Sequence, residues 1–495
     1  MVDSAIKPSG FAELLAVNFE WLLVRGESGR AIALRSDEME VYEDRSRTLF
    51  DFLDDSGART VRVEGITLDG AEVLLEVRSG LRKELEIMRL VPRTSAKELA
   101  ANVELARLEK ANEIGRMVCD AFPGAKLARV ALNKENGRLA QISIALPEKT
   151  GVVAVADLTA RLSPEVILTS AATTLREQQE RRKRPVLEAW LIAEKKQASA
   201  LQKLIGLLNA RERQRFRVFE ISRKPDKPAL IERRDLKVSD LWREKPKKLN
   251  LPAEIEPSDT ARRIIAFDSQ NIDIIFSKQG ETLRYRGLAF ARVRRLMGQE
   301  KAWYGVDRDR RGLTAETWPD FEAFVEELKT HRTAEAENKR HELYRAAPEA
   351  WLESILRGNI KLLDANLVLS PIYSQFRAAN DKIDLLAIRR DGRLVIIELK
   401  TSPDRETVFQ AADYWRKIEL QRRTGELQNA RAFGDMEIID KPALVYVVCP
   451  ALSFHRDFGF YAGMLSKEIE MWRFELREDW RDRVKVLTRR DYVGR

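Results

Sequence analysis

The stretch from Ile383 to Lys400 restricts the fold more than any other part of the chain. Ile383-Asp384-Leu385-Leu386-Ala387-Ile388 and Arg393-Leu394-Val395-Ile396-Ile397-Glu398-Leu399-Lys400 are separated by Arg389-Arg390-Asp391-Gly392. Two short apolar runs around a turn signal predict a β-hairpin. Loop length then decides which side chains share a face, because directly opposed residues of an antiparallel pair point the same way. A two-residue loop at Asp391-Gly392 would set Asp384 opposite Leu399. A three-residue loop, Arg390-Asp391-Gly392, sets Asp384 opposite Glu398 and gives Gly392 the left-handed position that closes such loops. The three-residue loop is the expected one.

In that register Ile383, Leu385 and Ala387 share a face with Val395, Ile397 and Leu399, while Leu386, Ile388, Leu394 and Ile396 share the other. Strands apolar on both faces are central and covered on both sides. Asp384 and Glu398 are then two carboxylates about 5 Å apart at Cβ in a buried sheet, where opposed like charges destabilise. Such anions take up protons or bind a cation. Lys400 supplies one positive charge on the same face, and a hard divalent ion, Mg2+ or Mn2+, would supply the rest. This set suits phosphodiester hydrolysis: the metal activates water and polarises the phosphoryl group, and the lysine orients the water and steadies negative charge. The alternative is a buried Asp–Lys–Glu ion cluster without turnover.

The rest of the chain is expected to be a multidomain α/β protein, since 495 residues correspond to roughly three domains at about 150 each. The expected divisions are an α+β module over 1–95, an α/β domain over 96–222, a basic linker with a small α+β unit over 223–335, and a C-terminal domain over 336–495. Predicted elements include a helix over 11–24, strands over 60–63 and 72–77, and a helix over 96–122. Strands over 127–132, 139–146, 152–158 and 186–192 follow, then strands over 272–276 and 283–285, a helix over 288–296 and a charged helix from about 330. Two cysteines and three histidines make a disulfide framework or zinc cluster improbable. No apolar run approaches the ~20 residues of a membrane span, and the start lacks a basic leader, so a cytoplasmic protein is expected.

Charge is uneven. Residues 181–250 hold 21 Lys/Arg against 9 Asp/Glu, an excess larger than the net +9 of the whole chain. Arg181, Arg182, Lys183, Arg184, Arg213 and Arg215 belong to this run and are candidate nucleic-acid contacts, since each phosphate neutralised releases counterions. A solvated helix face with charged linkers explains the same composition.

From about residue 340 to 487 the chain resembles the PD-(D/E)XK nuclease superfamily, nearest its NucS-like, RecB-like and Mrr-like branches. The resemblance rests on Asp384, Glu398-Leu399-Lys400 and the elements around them: helix, strand 367–376, hairpin, helix, strand 443–449. It implies a restriction-endonuclease-like α-β-β-β-α-β core, with Asp384 and Glu398 as metal ligands and Lys400 as catalytic lysine. The family's next helix often carries a Gln with a Tyr four residues later, and Gln410 and Tyr414 fit, on a helix capped by Ser402 with Pro403 in its first turn. The family's glutamate on the preceding helix is matched by Glu353, with Glu349 as competitor. The motif here reads Lys382-Ile383-Asp384, not Pro-Asp, which weakens the signature and keeps the carboxylate. Residues 96–192 read in the same element order without a Glu-x-Lys, as a degenerate copy of the fold, although α/β segments of that order also arise independently.

Together these features favour a metal-dependent endodeoxyribonuclease in repair, restriction or phage defence, with DNA as partner. The rival is a catalytically inactive nucleic-acid-binding or scaffold protein that keeps the fold. A motor fusion is disfavoured because no Gly-x-x-x-x-Gly-Lys-[Ser/Thr] loop occurs. Many enzymes of this fold dimerise, so a homodimer stays open.

Overall fold

The computed structural model describes residues 8–492 apart from 19, 26–29, 36–37, 45–46, 55–56, 79–84, 94–95, 148–149, 182–185, 224–227, 247–255, 278–279, 297–298, 307–309 and 371–383. The described residues form a mixed α/β structure with four sheets and two compact units, Met1–Ser199 with Arg217–Arg233, and Ala200–Phe216 with Arg234–Arg495. No described helix is long and apolar enough to cross a membrane.

The first unit opens with a seven-stranded antiparallel sheet. The helix expected over 11–24 is shorter, Pro8–Ala16, and a strand, Glu20–Arg25, replaces its second half. Trp21, Leu22 and Leu23 are buried there, and the strand pairs on both sides, with Arg30–Arg35 and Glu86–Pro92. Ladder bonds on two edges outweigh the helical spacing of the apolar residues. Six further strands follow the helix Ala96–Ala121. They lie side by side in chain order: Lys126–Leu132, Leu139–Ala145, Gly151–Asp157, Val186–Glu194, Phe216–Arg223 and Pro228–Glu232.

In the second unit β1 (Ile272–Ser277), β2 (Gly280–Tyr285), β3 (Leu288–Leu296), β4 (Gln299–Tyr304) and β5 (Arg311–Leu313) form an antiparallel meander. The helix expected over 288–296 is therefore the central strand β3. Arg286 and Gly287 both take positive φ, the backbone of a tight hairpin turn, and β3 then pairs with β2 and β4 at once. The charged helix expected from about 330 is likewise corrected: α1 (Trp318–His331) ends there. Phe321, Val325 and Leu328 of α1 cover one face of the meander together with Ala261 and Ile264.

After α2 (Pro348–Gly358) come β6 (Leu367–Leu369), β7 (Leu385–Arg389), β8 (Leu394–Leu399), α3 (Thr407–Arg423), β9 (Leu444–Pro450), β10 (Glu470–Leu476) and β11 (Val486–Asp491). The six strands again lie in chain order. Most of the strand expected over 367–376 falls in 371–383, outside the described residues. Leu385, Ala387, Val395, Ile397 and Leu399 share a core with Trp351, Leu352 and Leu356 of α2. Against the other face lies α3, with Val408, Ala411, Trp415 and Ile418 buried and the Trp415 indole N–H bonded to Ala443 O at 3.0 Å. The hairpin is covered on both sides, as its doubly apolar strands require. The cap expected at Ser402-Pro403 is not used. Asp404 organises the entry instead, its carboxylate accepting from Glu406 N–H at 2.8 Å and its carbonyl from the Thr407 hydroxyl at 3.1 Å, and α3 starts at Thr407.

The two six-stranded sheets share more than strand order. In each, the first and second pairings are antiparallel, the third is parallel across an intervening helix, and the last is antiparallel.

Hairpin closure generates a first prediction. Gly392 has φ +85°, and a Cβ there would lie 2.7 Å from Glu437 O and 2.8 Å from Ile439 Cγ2. Gly392→Ala is expected to destabilise the second unit by roughly 1–3 kcal/mol. Thermal denaturation of parent and variant checks it; an unchanged midpoint would contradict the closure argument.

Candidate active site

Sequence places the carboxylates, and the turn fixes their register. Leu385 pairs with Ile397 and Leu386 with Ile396. The Gly392 N–H reaches Arg389 O at 2.9 Å and the Arg389 N–H reaches Arg393 O at 2.8 Å, the bonds of the three-residue loop. One step further along this register, Asp384 stands opposite Glu398. Asp384 Oδ2 accepts the Leu399 N–H at 2.8 Å. Glu398 is buried, and its Oε2 has no hydrogen-bond partner among the described residues. Lys400 Nζ lies 3.3 Å from Glu398 Oε1 and 3.2 Å from Asp404 Oδ2.

Withdrawal from water dominates the electrostatics. It pushes the Asp384 carboxyl up to about 7, with Glu353 and Glu349 adding repulsion and the Leu399 N–H and Lys400 opposing. Glu398 is raised by the same burial and by Asp384. Burial alone would lower Lys400, but Glu398, Glu349 and Asp404 outweigh it and hold the ammonium above its ordinary value. Burial first and the neighbouring acid second disfavour the two carboxylate charges, the condition in which carboxylates favour a cation.

The preceding helix contributes both glutamates, separated by tertiary contacts that no spacing reveals. Glu353 is buried and held by Arg284 Nη1 at 3.3 Å and by Arg357. Arg284 also grips Asp273 at 2.6 and 3.0 Å, and the Ser354 hydroxyl donates to Asp273 at 3.1 Å. Glu349, one turn earlier, carries no hydrogen bond or ion pair among the described residues; its charge acts on Lys400, Glu398 and Asp384. The helix is fastened to the meander at two more points. A Cβ on Gly287 would stand 1.9 Å from Ala350 O, so only glycine permits that approach. The fully buried Arg332 donates to the carbonyls of Tyr285, Arg286, Leu343, Ala346 and Ala347.

Gln410 and Tyr414 lie one turn apart on α3, both half-buried. Gln410 Oε1 is enclosed without a partner among the described residues, and the Lys417 ammonium lies 5.5 Å from the Tyr414 ring centre. Sequence reasoning missed Asp404 and Glu406. Asp404 is held low by Glu406 and Lys400 despite its burial, and Glu406 is pushed up to about 7 by burial and by Asp404. The i,i+4 spacing of Lys400 and Asp404 was the available signal.

The basic run is divided. Arg181 ends a helix in the first unit, and Arg182, Lys183 and Arg184 lie outside the described residues. Arg213 ends a short helix in the second unit, where Arg215 pairs with Glu212 at 2.6 Å. Arg217 stacks near Phe122, Trp190 and Phe219 and pairs with Glu232. Local ion pairing therefore accounts for part of this run.

In the first six-stranded sheet, the strand equivalent to β8 ends in Asp157. This carboxylate accepts from Thr159 N–H and hydroxyl, Leu162 N–H and the Gln197 amide, all at 2.7–2.8 Å. Its lone pairs are committed to the loop, leaving none for a cation.

Among the described residues no group of three or more His, Cys, Asp or Glu side chains is spaced to hold a metal ion. Asp384 and Glu398 are a set of two. Magnesium is commonly held by one or two carboxylates, with waters and substrate phosphates completing the shell, and the unpartnered Glu398 Oε2 is a donor of that kind. The residues fit such an ion.

The raised Asp384 pKa predicts a pH dependence. Unfolded, the carboxyl ionises near 3.8; folded, near 7. The folded state thus holds the proton more tightly, so its stability falls as pH rises from about 4 to 7 and then levels. In EDTA, Asp384→Asn is expected to remove much of that fall and to be the more stable protein at pH 8. Denaturant titrations at pH 5 and 8 check this; equal slopes in parent and variant would contradict the burial argument.

No protein-family model and no curated protein matches this chain. Among solved structures, the apo form of EndoMS is similar at 13% identity and a TM-score of 0.18, over 45% of this chain and 99% of that one. At that TM-score the likeness carries no weight for fold or chemistry.

Proposed function

We propose that this chain is a metal-dependent nuclease that hydrolyses phosphodiester bonds in DNA. The observation that carries the reading is the opposed pair of half-buried Asp384 and buried Glu398 with the Lys400 ammonium beside it. The sequence α2, β6, β7, β8, α3, β9 supports a restriction-endonuclease-like core around that pair, and the matching run of two antiparallel pairings and one parallel pairing in the first six-stranded sheet supports a degenerate copy of it. Asp384 and Glu398 would hold Mg2+ or Mn2+, which when bound polarises a phosphoryl oxygen and acidifies a water.

The chain's own residues do the rest. Lys400, held cationic by Glu398, Glu349 and Asp404, donates hydrogen bonds to the attacking water and steadies charge gathering on the phosphoryl oxygens. Glu349, near Lys400 and without an ion pair among the described residues, is the more available helix carboxylate. Glu353, gripped by Arg284 and Arg357, acts as a positioning residue that fixes α2 against the meander. Gln410 and Tyr414 are assigned to the substrate side of α3.

Cleavage of single-stranded, duplex and branched DNA with Mg2+ or Mn2+ tests this. Asp384→Ala and Lys400→Ala are each expected to lower the rate by about 1,000-fold while binding in EDTA persists. A parent that binds nucleic acid but never cleaves it with either metal would instead indicate a catalytically silent scaffold.

A further inference from the structure

The meander has one face covered by α1 and the helix Asp259–Ile265. Alternation along β4 turns Ala302 and Tyr304 into that core and Trp303 to the opposite face. Arg292 of β3 stands directly opposite Trp303, and Arg294 opposite Lys301, so all four side chains share that face. Thr282 flanks Arg292 on β2, and Gly312 flanks Trp303 on the edge strand β5. A Cβ built on Gly312 would meet nothing within 4 Å, so the flank of the indole is open.

Among the described residues the charged side chains around Trp303 are cationic, while Asp273, opposite Arg284 further along this face, is already paired with that arginine. Arg292, Arg294, Lys301 and the neighbouring Arg310 make no ion pair or hydrogen bond with any acid among the described residues. Their mutual repulsion is felt: burial, Arg310 and Arg294 lower the proton affinity of Arg292. Cations without a local acid, gathered around a half-exposed indole, suit an anionic partner with flat apolar surfaces.

We propose that this face, Trp303 ringed by Arg292, Arg294 and Lys301, binds single-stranded nucleic acid. The guanidinium and ammonium groups take the phosphates, and the indole stacks on an unpaired base. A duplex would hide its base faces from the ring. The platform runs toward the candidate active site. Arg284, two residues beyond Thr282 on the same face, is the residue that grips Glu353, and strand spacing puts Trp303 about 12 Å from it. The inference rests on the nuclease reading for its purpose, since a strand lying on this face is led toward Asp384 and Glu398; the binding itself does not depend on cleavage.

The test uses the full chain in EDTA with fluorescein-labelled 20-nucleotide DNA and RNA single strands and the matching DNA duplex, read by anisotropy. The parent is expected to prefer single strands. Trp303→Ala should weaken single-strand binding by about tenfold or more, and Trp303→Phe should retain most of it. Arg292→Ala with Arg294→Ala should reduce the salt dependence of binding by about one phosphate contact or more. Circular dichroism confirms that each variant is folded. With metal added, Trp303→Ala should raise KM for single-stranded DNA and leave kcat unchanged. Unaltered binding by folded Trp303→Ala, or preference for duplex, overturns the platform whatever the cleavage result. Trp303-dependent binding by a parent that never cleaves supports the platform and overturns only the nuclease reading.

Discussion

Two carboxylates forced to face each other in a buried hairpin are the constraint around which the second unit is arranged. Asp384 and Glu398 repel, and burial makes that repulsion costly. The fold answers with one cation, Lys400, and two backbone or side-chain donors: the Leu399 N–H to Asp384 and the Lys400 ammonium to Glu398. Among the described residues Glu398 Oε2 has no hydrogen-bond partner. A site selected only for stability would have neutralised the pair, because an uncompensated buried charge costs several kcal/mol. Stability has been given up here, beside the apolar strands β7 and β8.

The helix beside the pair is held from outside its own domain core. Arg332 donates to carbonyls on both the meander and the segment leading into α2, Gly287 lets the meander's turn touch the helix backbone, and Arg284 couples Asp273 to Glu353. These contacts fix the rotation of α2, and rotation decides which glutamate turns toward Lys400. The meander thus shapes the site without adding a side chain to the carboxylate pair.

Sequence made the hairpin legible because parity is a hard rule: one residue more in the loop moves every side chain to the other face. The doubly apolar strands and the stripe on α3 followed from the same alternation and periodicity. What stayed hidden depends on tertiary context. The apolar spacing of Leu288–Leu296 suits a helix, and only the Arg286-Gly287 turn and pairing on both edges make it a strand. Glu349 and Glu353, four apart, are equivalent by spacing; Arg284, 65 positions away from Glu349 in the chain, breaks the tie. The basic run looked like one footprint in composition, yet its residues belong to two units and several pair at once with nearby acids.

The two six-stranded sheets show how one topology supports opposite electrostatic outcomes. In both, the third strand ends where a helix is about to begin, a place where backbone N–H groups and a loop converge. In the first, Asp157 takes Thr159, Leu162 and Gln197 as partners and closes the loop on itself. In the second, the strand runs on to Glu398 and Lys400, the opposed strand supplies Asp384, and the loop supplies Asp404, so donors are fewer than carboxylate oxygens. Satisfied hydrogen bonds make the one end a structural joint. The shortage of donors makes the other a place where an ion or a substrate phosphate lowers the energy of the fold.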